Sequence, residues 1–346
     1  MDLLREAEKV DGKYLNPVPT TVGGLKMAFR ILPLLLSNRE ERVPRTSLGP
    51  FRTDASVYAN WPASGLRVTW FGHSSTLVEI DGVRILIDPV WDQRASPLTW
   101  AGPKRFFAPT LPLNELPRLD AVLVSHDHYD HLGADTVRSL AKLQPHARWL
   151  TSLEVGPILS QLGVAENRIT ELNWTGSTRI AARENGAVCE ITSVSARHFS
   201  GRSATRRFNT LWASFVLRGS RHTVYYGADS GWWEGFAQIG ANYGPFDLTM
   251  LEIGAFNELW HQIHLGPDNA ARAYQDLGGR ARAGLLMPVH WGLFSLAFHA
   301  WRQPIERLSE LATMHGLPLW SSAPGLPTEV VRGRELQSDW WMPLEP

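Results

Sequence analysis

Metal-binding side chains are concentrated in one short run of the sequence, His126-Asp127-His128-Tyr129-Asp130-His131, which holds three of the twelve histidines. His126 and His128 are two residues apart, so directly after a strand their side chains can point the same way. Asp130 and His131 fall on the turn beyond, where the chain can curl back. Imidazole and carboxylate groups are ligands that zinc binds in proteins. Because one ion cannot comfortably use all four groups from so short a loop, the run predicts two metals.

Three further candidate ligands each follow an apolar run that predicts a strand. They are His198, Asp229 and His290. Ligands from several strand ends at one edge of a sheet fit an active site in an α/β protein. Singly, each could be a satisfied buried polar side chain, and the run at 126–131 could be a solvated loop. Together they favour a metal centre.

Four residues outside this set are candidates for roles around the metals. His264, in His264-Leu265-Gly266-Pro267, is the candidate proton donor to the leaving group. Its place before a predicted helix also fits a residue that only starts that helix. We interpret His73 and His261 as lining the substrate cleft or supporting a ligand. Asp88 ends a predicted strand, and we expect its carboxylate to hydrogen-bond the histidine run, because such outer carboxylates fix ligand orientation.

The loop after His198 is basic and contains Arg202, Arg206 and Arg207. Arginine can bind phosphate through two parallel hydrogen bonds. The loop is therefore either a solvated charged surface or a site that recruits an anionic head group.

Short apolar runs predict the elements that must position these groups. Strands are predicted at 68–71, 76–80, 83–87, 121–124, 186–194, 211–217, 223–228, 247–253 and 284–289, and helices at 135–142, 233–239, 268–276 and 304–314. Asp81-Gly82 is a hairpin turn signal. Residues 66–346 are interpreted as one α/β domain. Residues 1–65 are interpreted as an arm that packs on this domain or on a partner, with a predicted amphipathic helix over 25–36.

Composition excludes several classes of protein. Lys plus Arg and Asp plus Glu both number 34, so no global charge favours a nucleic-acid partner. The single cysteine, Cys189, excludes an intramolecular disulfide and a thiolate metal cluster. The charged start, Met1-Asp2-Leu3-Leu4-Arg5-Glu6, lacks the apolar region of a signal peptide, and the apolar run at 31–36 is too short to span a bilayer. We expect a cytoplasmic protein, with peripheral membrane contact left open.

The pattern His-x-His-x-Asp-His at 126–131, followed by spaced His, Asp and His, resembles the signature of the metallo-β-lactamase superfamily. The resemblance covers roughly residues 65–320 and implies an αββα four-layer sandwich with the metals at one edge. It also implies the ligand sets: His126, His128 and His198 for one metal, Asp130, His131 and His290 for the second, and Asp229 for both.

Longer stretches resemble the branch that contains N-acyl-phosphatidylethanolamine-hydrolysing phospholipase D and the ascorbate-phosphate lactonases. They are Trp70-Phe71-Gly72-His73-Ser74, Ile87-Asp88-Pro89-Val90-Trp91, Arg94-Ala95-Ser96-Pro97, Gly102-Pro103-Lys104-Arg105-Phe106, Tyr243-Gly244-Pro245-Phe246 and Ile253-Gly254-Ala255, with Asn16-Pro17 as a weaker echo. The loop at 200–207 departs from that pattern, and Gly266-Pro267 replaces an acidic-Pro pair. Both departures lie near the expected substrate mouth.

The predicted activity is hydrolysis by a hydroxide that the two metals share, with Asp130 orienting it. The preferred substrate is a phosphodiester of the N-acyl-phosphatidylethanolamine class, and the alternatives are a lactone or carboxylic ester, or no hydrolysis at all in a metal-binding or redox protein. Iron-using members of the superfamily carry Glu where this chain has His128. Two Zn²⁺ per chain are therefore expected, with Mn²⁺ or Fe²⁺ as alternatives. A phospholipid or small-molecule substrate is the expected partner, and a homo-oligomer is left open.

Overall fold

The computed structural model describes residues 3–23, 41–203, 205–278, 284–331, 333–334, 336 and 339–342. The helix predicted at 25–36 lies outside these residues. The strands are β1 (Lys9–Val10), β2 (Lys13–Tyr14), β3 (Leu66–Gly72), β4 (Ser75–Ile80), β5 (Val83–Ile87), β6 (Ala121–Val124), β7 (Arg148–Ser152), β8 (Ile169–Leu172), β9 (Ser177–Ala181), β10 (Val188–Val194), β11 (Ser214–Arg218), β12 (Thr223–Tyr226), β13 (Leu248–Glu252), β14 (Leu285–Val289) and β15 (Thr328–Glu329). The α-helices are α1 (Ala134–Leu143), α2 (Gly156–Gln161), α3 (Gly235–Tyr243), α4 (Gly266–Asp276) and α5 (Gln303–His315).

Two large sheets face each other. One has the strand order β15-β3-β4-β5-β6-β7-β8, and the other has the order β14-β13-β12-β11-β10-β9. Helices α1 and α2 cover the outer face of the first sheet, while α4 packs on β13 of the second and against α3 and α5. These four layers confirm the predicted αββα sandwich.

The central strands are buried on both faces, which explains their nearly continuous apolar sequences. On β4, Val78 belongs to the core between the two sheets, whereas its neighbour Leu77 packs in the cluster under α1 and α2. On β6, Leu123 and Val122 divide in the same way. Alternate residues therefore fill two different cores, and a charged side chain within these strands is paired, as Glu79 is with Arg67 and Arg84.

Several strands in each sheet run in the same direction, so their carboxyl ends lie at one edge. In the first sheet β5 and β6 are parallel, and β3 runs the same way because two antiparallel pairings separate it from β5. In the second sheet β12, β13 and β14 are parallel, and β10 shares their direction for the same reason. The residues that follow these seven strands therefore lie at one edge of each sheet, where ligands bind in folds of this kind.

The strands and helices predicted within 66–346 are confirmed in place, with changes at their ends. The β4–β5 hairpin turns at Asp81-Gly82 as predicted. The sequence did not predict β1, β2, β7, β8, β9, β15 or α2. Each of these elements is short. Strand β9 lies at the edge of its sheet, and Ile180 is its single buried residue. The short apolar pattern of such an edge strand is hard to distinguish from a loop.

The described part of the N-terminal arm lies against the domain. Leu4 and Tyr14 are buried in the core between the sheets. The Leu3 amide donates to Gln238 Oε1 at 2.8 Å, and the Ala7 amide donates to Asn173 Oδ1 at 3.0 Å. Among the residues described, no helix has the length and apolar character needed to cross a bilayer. The division into an arm at 1–65 and a domain at 66–346 stays a prediction.

Candidate metal centre

The first group of converging side chains contains three histidines and one carboxylate. His126 and His128 follow β6, His198 follows β10, and Asp229 follows β12. The His128 Nδ1 atom lies 2.9 Å from His126 Nε2 and 3.3 Å from His198 Nε2. Asp229 Oδ2 lies 3.8 Å from His126 Nε2 and 3.6 Å from His198 Nε2. One ligand atom from each residue can therefore face a common point.

The second group lies beside the first and contains Asp130, His131, His290 and His73. Asp130 Oδ2 lies 3.2 Å from His290 Nε2, 3.0 Å from His73 Nε2 and 3.7 Å from His131 Nε2. His73 was expected to line the cleft or support a ligand, and the structure places it in hydrogen-bond contact with Asp130. Its ring centroid is 4.0 Å from that of His290.

Asp229 lies between the two groups. Its Oδ1 atom is 3.2 Å from His131 Nε2, and its Oδ2 atom is 3.2 Å from His290 Nε2 and 3.6 Å from His198 Nε2. The carboxylate is 2% exposed, so its charge is not dispersed by solvent. A carboxylate that touches ligands of both groups has the position that a bridging ligand needs.

Asp88 anchors the histidine run from behind. Its carboxylate lies 2.7 Å from His131 Nδ1, and it accepts hydrogen bonds from Ser125 N at 2.7 Å, from Ser125 Oγ at 2.6 Å and from the Tyr226 hydroxyl. Because a carboxylate accepts, His131 donates from Nδ1 and turns Nε2 towards Asp229. His198 is fixed in the same way, since its Nδ1 donates to the Ile263 carbonyl at 2.7 Å.

Three site residues have backbone φ angles in the left-handed region, namely His73 at 53°, Asp88 at 40° and His290 at 62°. Side chains other than glycine rarely adopt this region, and it costs of order 1–3 kcal/mol at each position. The His290 amide is held by the His73 carbonyl at 2.9 Å. The chain thus turns sharply at the first residue after each of these strands, which directs the side chain to the shared edge.

The donor set fits a bound cation. His131 Nε2, His290 Nε2 and Asp229 Oδ1 are buried and have no hydrogen-bond partner among the described residues. Burial lowers the pKa of His198 well below its ordinary value, which leaves a neutral ring with a lone pair. Burial alone would also lower the pKa of His290, but Asp229 and Asp130 raise it to about 10. The carboxylates of Asp229 and Asp130 thus favour a positive charge beside His290, which a metal ion would supply.

His264 lies at the edge of this constellation, before α4. Its Nδ1 atom is 2.6 Å from Glu252 Oε2, so the ring donates to the carboxylate and turns Nε2 outward. Glu252 also accepts from Ser230 N at 2.7 Å and from Leu265 N at 3.2 Å. Sequence reasoning missed Glu252. A lone acidic residue at the end of an apolar strand was the signal that could have revealed it, because a fully buried Glu is rare unless paired.

A cleft of about 450 Å³ opens over both groups. Its lining residues are Val22, Gly23, His128, Asp130, Phe199, Arg207, Asp229, Ala255, Trp260, Ile263, His264, His290 and Leu296. The structure does not bring His261 to this cleft: its side chain is exposed and its Nδ1 contacts the Glu258 carbonyl at 2.8 Å. His261 follows the short 3-10 turn Glu258–Trp260, which leaves its side chain at the surface.

The three arginines of the loop after His198 have different positions. Arg202 stacks on Tyr129 at 3.8 Å and donates to the carbonyls of Asp127 and Leu132, so it braces the histidine run. Arg206 is exposed. Arg207 lines the cleft and lies 5.5 Å from the Phe199 ring.

The chain is similar to known proteins in sequence and in fold. A family profile described as Beta-lactamase superfamily domain matches residues 83–291. A Mycobacterium tuberculosis protein is 46% identical over 338 residues, covering 96% of this chain and 86% of its own. N-acyl-phosphatidylethanolamine-hydrolyzing phospholipase D 1 of Caenorhabditis elegans is 35% identical over 255 residues, covering 72% of this chain and 70% of its own. A solved metallo hydrolase of the archaeon Ignicoccus hospitalis has a TM-score of 0.56 at 22% identity, over 76% of this chain and 97% of that one.

Proposed function

The chain is a metal-dependent hydrolase that belongs to the metallo-β-lactamase superfamily, and we propose that it is a dinuclear zinc phosphodiesterase of phospholipase D type. The observation that carries the proposal is the position of Asp229, within 3.2 Å of His131 and His290 and 3.6 Å of His198. This geometry supports one cation on each side of a shared carboxylate. The donor atoms are histidine nitrogens and aspartate oxygens, which suit zinc.

Two bound cations would polarise the phosphoryl oxygens and lower the pKa of an attacking water towards 7. The protein's own contribution is to hold the ligands in place before substrate arrives. His131 and His198 are each fixed through Nδ1, and Asp88 fixes the first of them. Asp130 contacts His73 and His290, which keeps its carboxylate at the floor of the cleft, where it can orient the nucleophile.

His264 has the geometry of the proton donor to the leaving alkoxide. Its Nδ1 is held by buried Glu252 at 2.6 Å, and its ring lines the cleft between His198 and His290 at centroid distances of 5.1 and 5.3 Å. Because Nδ1 donates to the carboxylate, Nε2 is the ring atom that faces the cleft and can pass a proton to the leaving group. Proton transfer to a poor leaving group is worth roughly 10²–10⁴ in rate.

The cleft walls suit a lipid phosphodiester. Phe199, Trp260 and Leu296 give apolar surface beside the metal ligands, and Arg207 adds one cation at the rim. The substrate class comes from the Caenorhabditis elegans relative, whose name states hydrolysis of N-acyl-phosphatidylethanolamine. Cleavage of such a lipid breaks the bond between phosphorus and the N-acylethanolamine oxygen, which leaves with a proton while water supplies the new oxygen of phosphatidate.

An exposed loop could bring such a substrate from a membrane. Leu98 and Trp100 are 44% and 76% exposed at the tip of a loop closed by the hydrogen bond from Ala95 N to the Pro103 carbonyl at 3.0 Å. Lys104 is also exposed at its base. An exposed tryptophan beside a cation suits the interface of an anionic bilayer. The amphipathic helix predicted at 25–36 is a second candidate for this contact, and it lies outside the described residues.

The substrate proposal can be tested with three compounds and labelled water. We expect zinc-loaded protein to convert N-acyl-phosphatidylethanolamine vesicles to phosphatidate that carries one ¹⁸O from H₂¹⁸O, and to cleave a nitrophenyl phosphodiester. Asp229→Asn protein is the control for contaminating activity. Turnover of a lactone or carboxylic ester with no phosphodiester cleavage would replace the proposal by the alternative hydrolase.

A further inference from the structure

We propose that residues 16–23 of the N-terminal arm are part of the metal site, with Asn16 as a positioning residue for His198. The inference rests on the proposed role of His198 as a metal ligand. Neither the histidine pattern nor the family profile, which matches residues 83–291, includes this segment. The inference is drawn from the hydrogen bonds between the arm and two loops of the metal centre.

The first contact is made directly to the backbone of a candidate ligand. Asn16 Nδ2 donates to the His198 carbonyl at 2.7 Å. A carbonyl oxygen only accepts, so the amide nitrogen, and not the amide oxygen, must face it. His198 lies in the loop after β10, where its carbonyl has no partner in the sheet. The bond from Asn16 therefore fixes the position of this carbonyl.

The residue before His198 reinforces the same junction. Arg197 donates from Nε to Thr20 Oγ1 at 2.9 Å and from Nη2 to the Pro19 carbonyl at 3.0 Å. A third donor, Nη1, reaches the Trp232 carbonyl at 3.0 Å, just beyond the Asp229 loop. One guanidinium therefore joins the arm, the His198 loop and the Asp229 loop.

The second contact reaches the loop that carries the candidate proton donor. The Thr21 amide donates to Gln262 Oε1 at 2.7 Å, two residues before His264. The carbonyl of Ile263, in the same loop, accepts from His198 Nδ1 at 2.7 Å. The arm, the His198 loop and the His264 loop thus form a closed triangle, in which each side is a hydrogen bond.

The arm then continues as a wall of the cleft. Val22 and Gly23 are among its lining residues. A β-carbon at position 23, where φ is +72°, would lie 2.8 Å from Arg207 Nη1, so the arm backbone packs directly on this rim cation. The same segment therefore holds a ligand loop and shapes the substrate mouth.

The positioning role predicts a specific loss in Asn16→Ala protein. Partners that orient a metal ligand typically contribute 10–100-fold to metal affinity or activity. We expect zinc affinity, measured by competition with a chromophoric chelator, to fall by about that factor for one of two ions, and kcat to fall with it. The matched control is Asn173→Ala, which removes another hydrogen bond between arm and domain, from Ala7 N at 3.0 Å, away from the cleft.

A second variant separates hydrogen bonding from packing. Asn16→Asp keeps the side-chain shape but removes the donor, so it should weaken zinc binding at least as much as Asn16→Ala. Gln262→Leu should leave zinc affinity near wild type and lower turnover of substrates with poor leaving groups, because it loosens only the His264 side of the triangle.

Two results would overturn the inference: equal zinc affinity in Asn16→Ala and wild-type protein, or equal losses in Asn16→Ala and Asn173→Ala. Failure of the wild-type protein to bind zinc would instead refute the proposed metal centre itself. Thermal unfolding of each variant in chelator shows whether the fold survives. If both Asn16 variants unfold, hydrogen exchange of the 197–200 amides in metal-free Thr20→Val protein replaces them, because this variant lacks the arm hydroxyl that accepts from Arg197 Nε. Exchange as slow as in wild type then rejects the role of the arm.

Discussion

Replacement of Asp229 by asparagine tests the shared carboxylate that underlies the proposed centre. The substitution preserves size and shape but removes one negative charge at a site that is 2% exposed. The Asp229 oxygens lie 3.2–3.8 Å from ring nitrogens of both candidate ligand groups. No other described carboxylate in the two groups contacts members of both.

The magnitude follows from Coulomb's law. Two unit charges about 4 Å apart interact by about 4 kcal/mol at an effective dielectric constant near 20. Since about 1.4 kcal/mol corresponds to a tenfold change in binding, loss of the charge should weaken retention of at least one cation by roughly 10³-fold. Turnover should fall severely, because the proposed chemistry needs both ions. The fold should survive, since the apolar core between the sheets does not depend on this residue.

The measurement is a chelator competition titration on wild-type and Asp229→Asn proteins, with circular dichroism to check the fold and a nitrophenyl phosphodiester to measure kcat. Asp127→Asn is the control, because Asp127 is also buried, within the histidine run, but belongs to neither candidate ligand group. It should lose far less affinity. Two tightly held ions with near-normal turnover in Asp229→Asn protein would show that Asp229 does not bridge.

Other substitutions test separate parts of the site. His264→Ala should keep its metals and lose about 10²–10⁴-fold in turnover of an alkoxide-leaving substrate but much less with a nitrophenolate, and equal losses would indicate positioning only. Asp88→Asn should weaken metal binding by about 10–100-fold, and unchanged affinity by chelator titration would reject its role behind the histidine run. Trp100→Ala should weaken sedimentation with anionic vesicles and leave cleavage of a soluble phosphodiester unchanged. The control, Met314→Ala, removes another exposed apolar side chain and should change neither. Equal sedimentation of Trp100→Ala and wild-type protein would exclude the loop from the interface.

The candidate ligands were accessible to sequence reasoning because metal chemistry restricts residue type and spacing. His126 and His128 are two apart after a short apolar strand, and that alternation fixes their common direction without knowledge of any partner strand. The apolar runs of β3 to β6 were equally readable, since strands buried on both faces are nearly continuous in hydrophobic residues. The family resemblance followed from the same local pattern.

Contacts between distant parts of the chain were decided only by the tertiary structure. Glu252 was overlooked because its partner His264 is twelve residues away, across a turn whose path no local pattern fixes. His261 was expected to line the cleft or support a ligand, but it follows the short 3-10 turn Glu258–Trp260 and is exposed to solvent. Asn16 lies 182 residues from His198 in sequence, and only the packing of the arm brings its amide to that carbonyl. Sequence determines which side chains can bind a metal, whereas the shared edge of two sheets determines which of them meet. The reason is that hydrogen bonds and close packing act over a few ångströms of space and do not depend on separation along the chain.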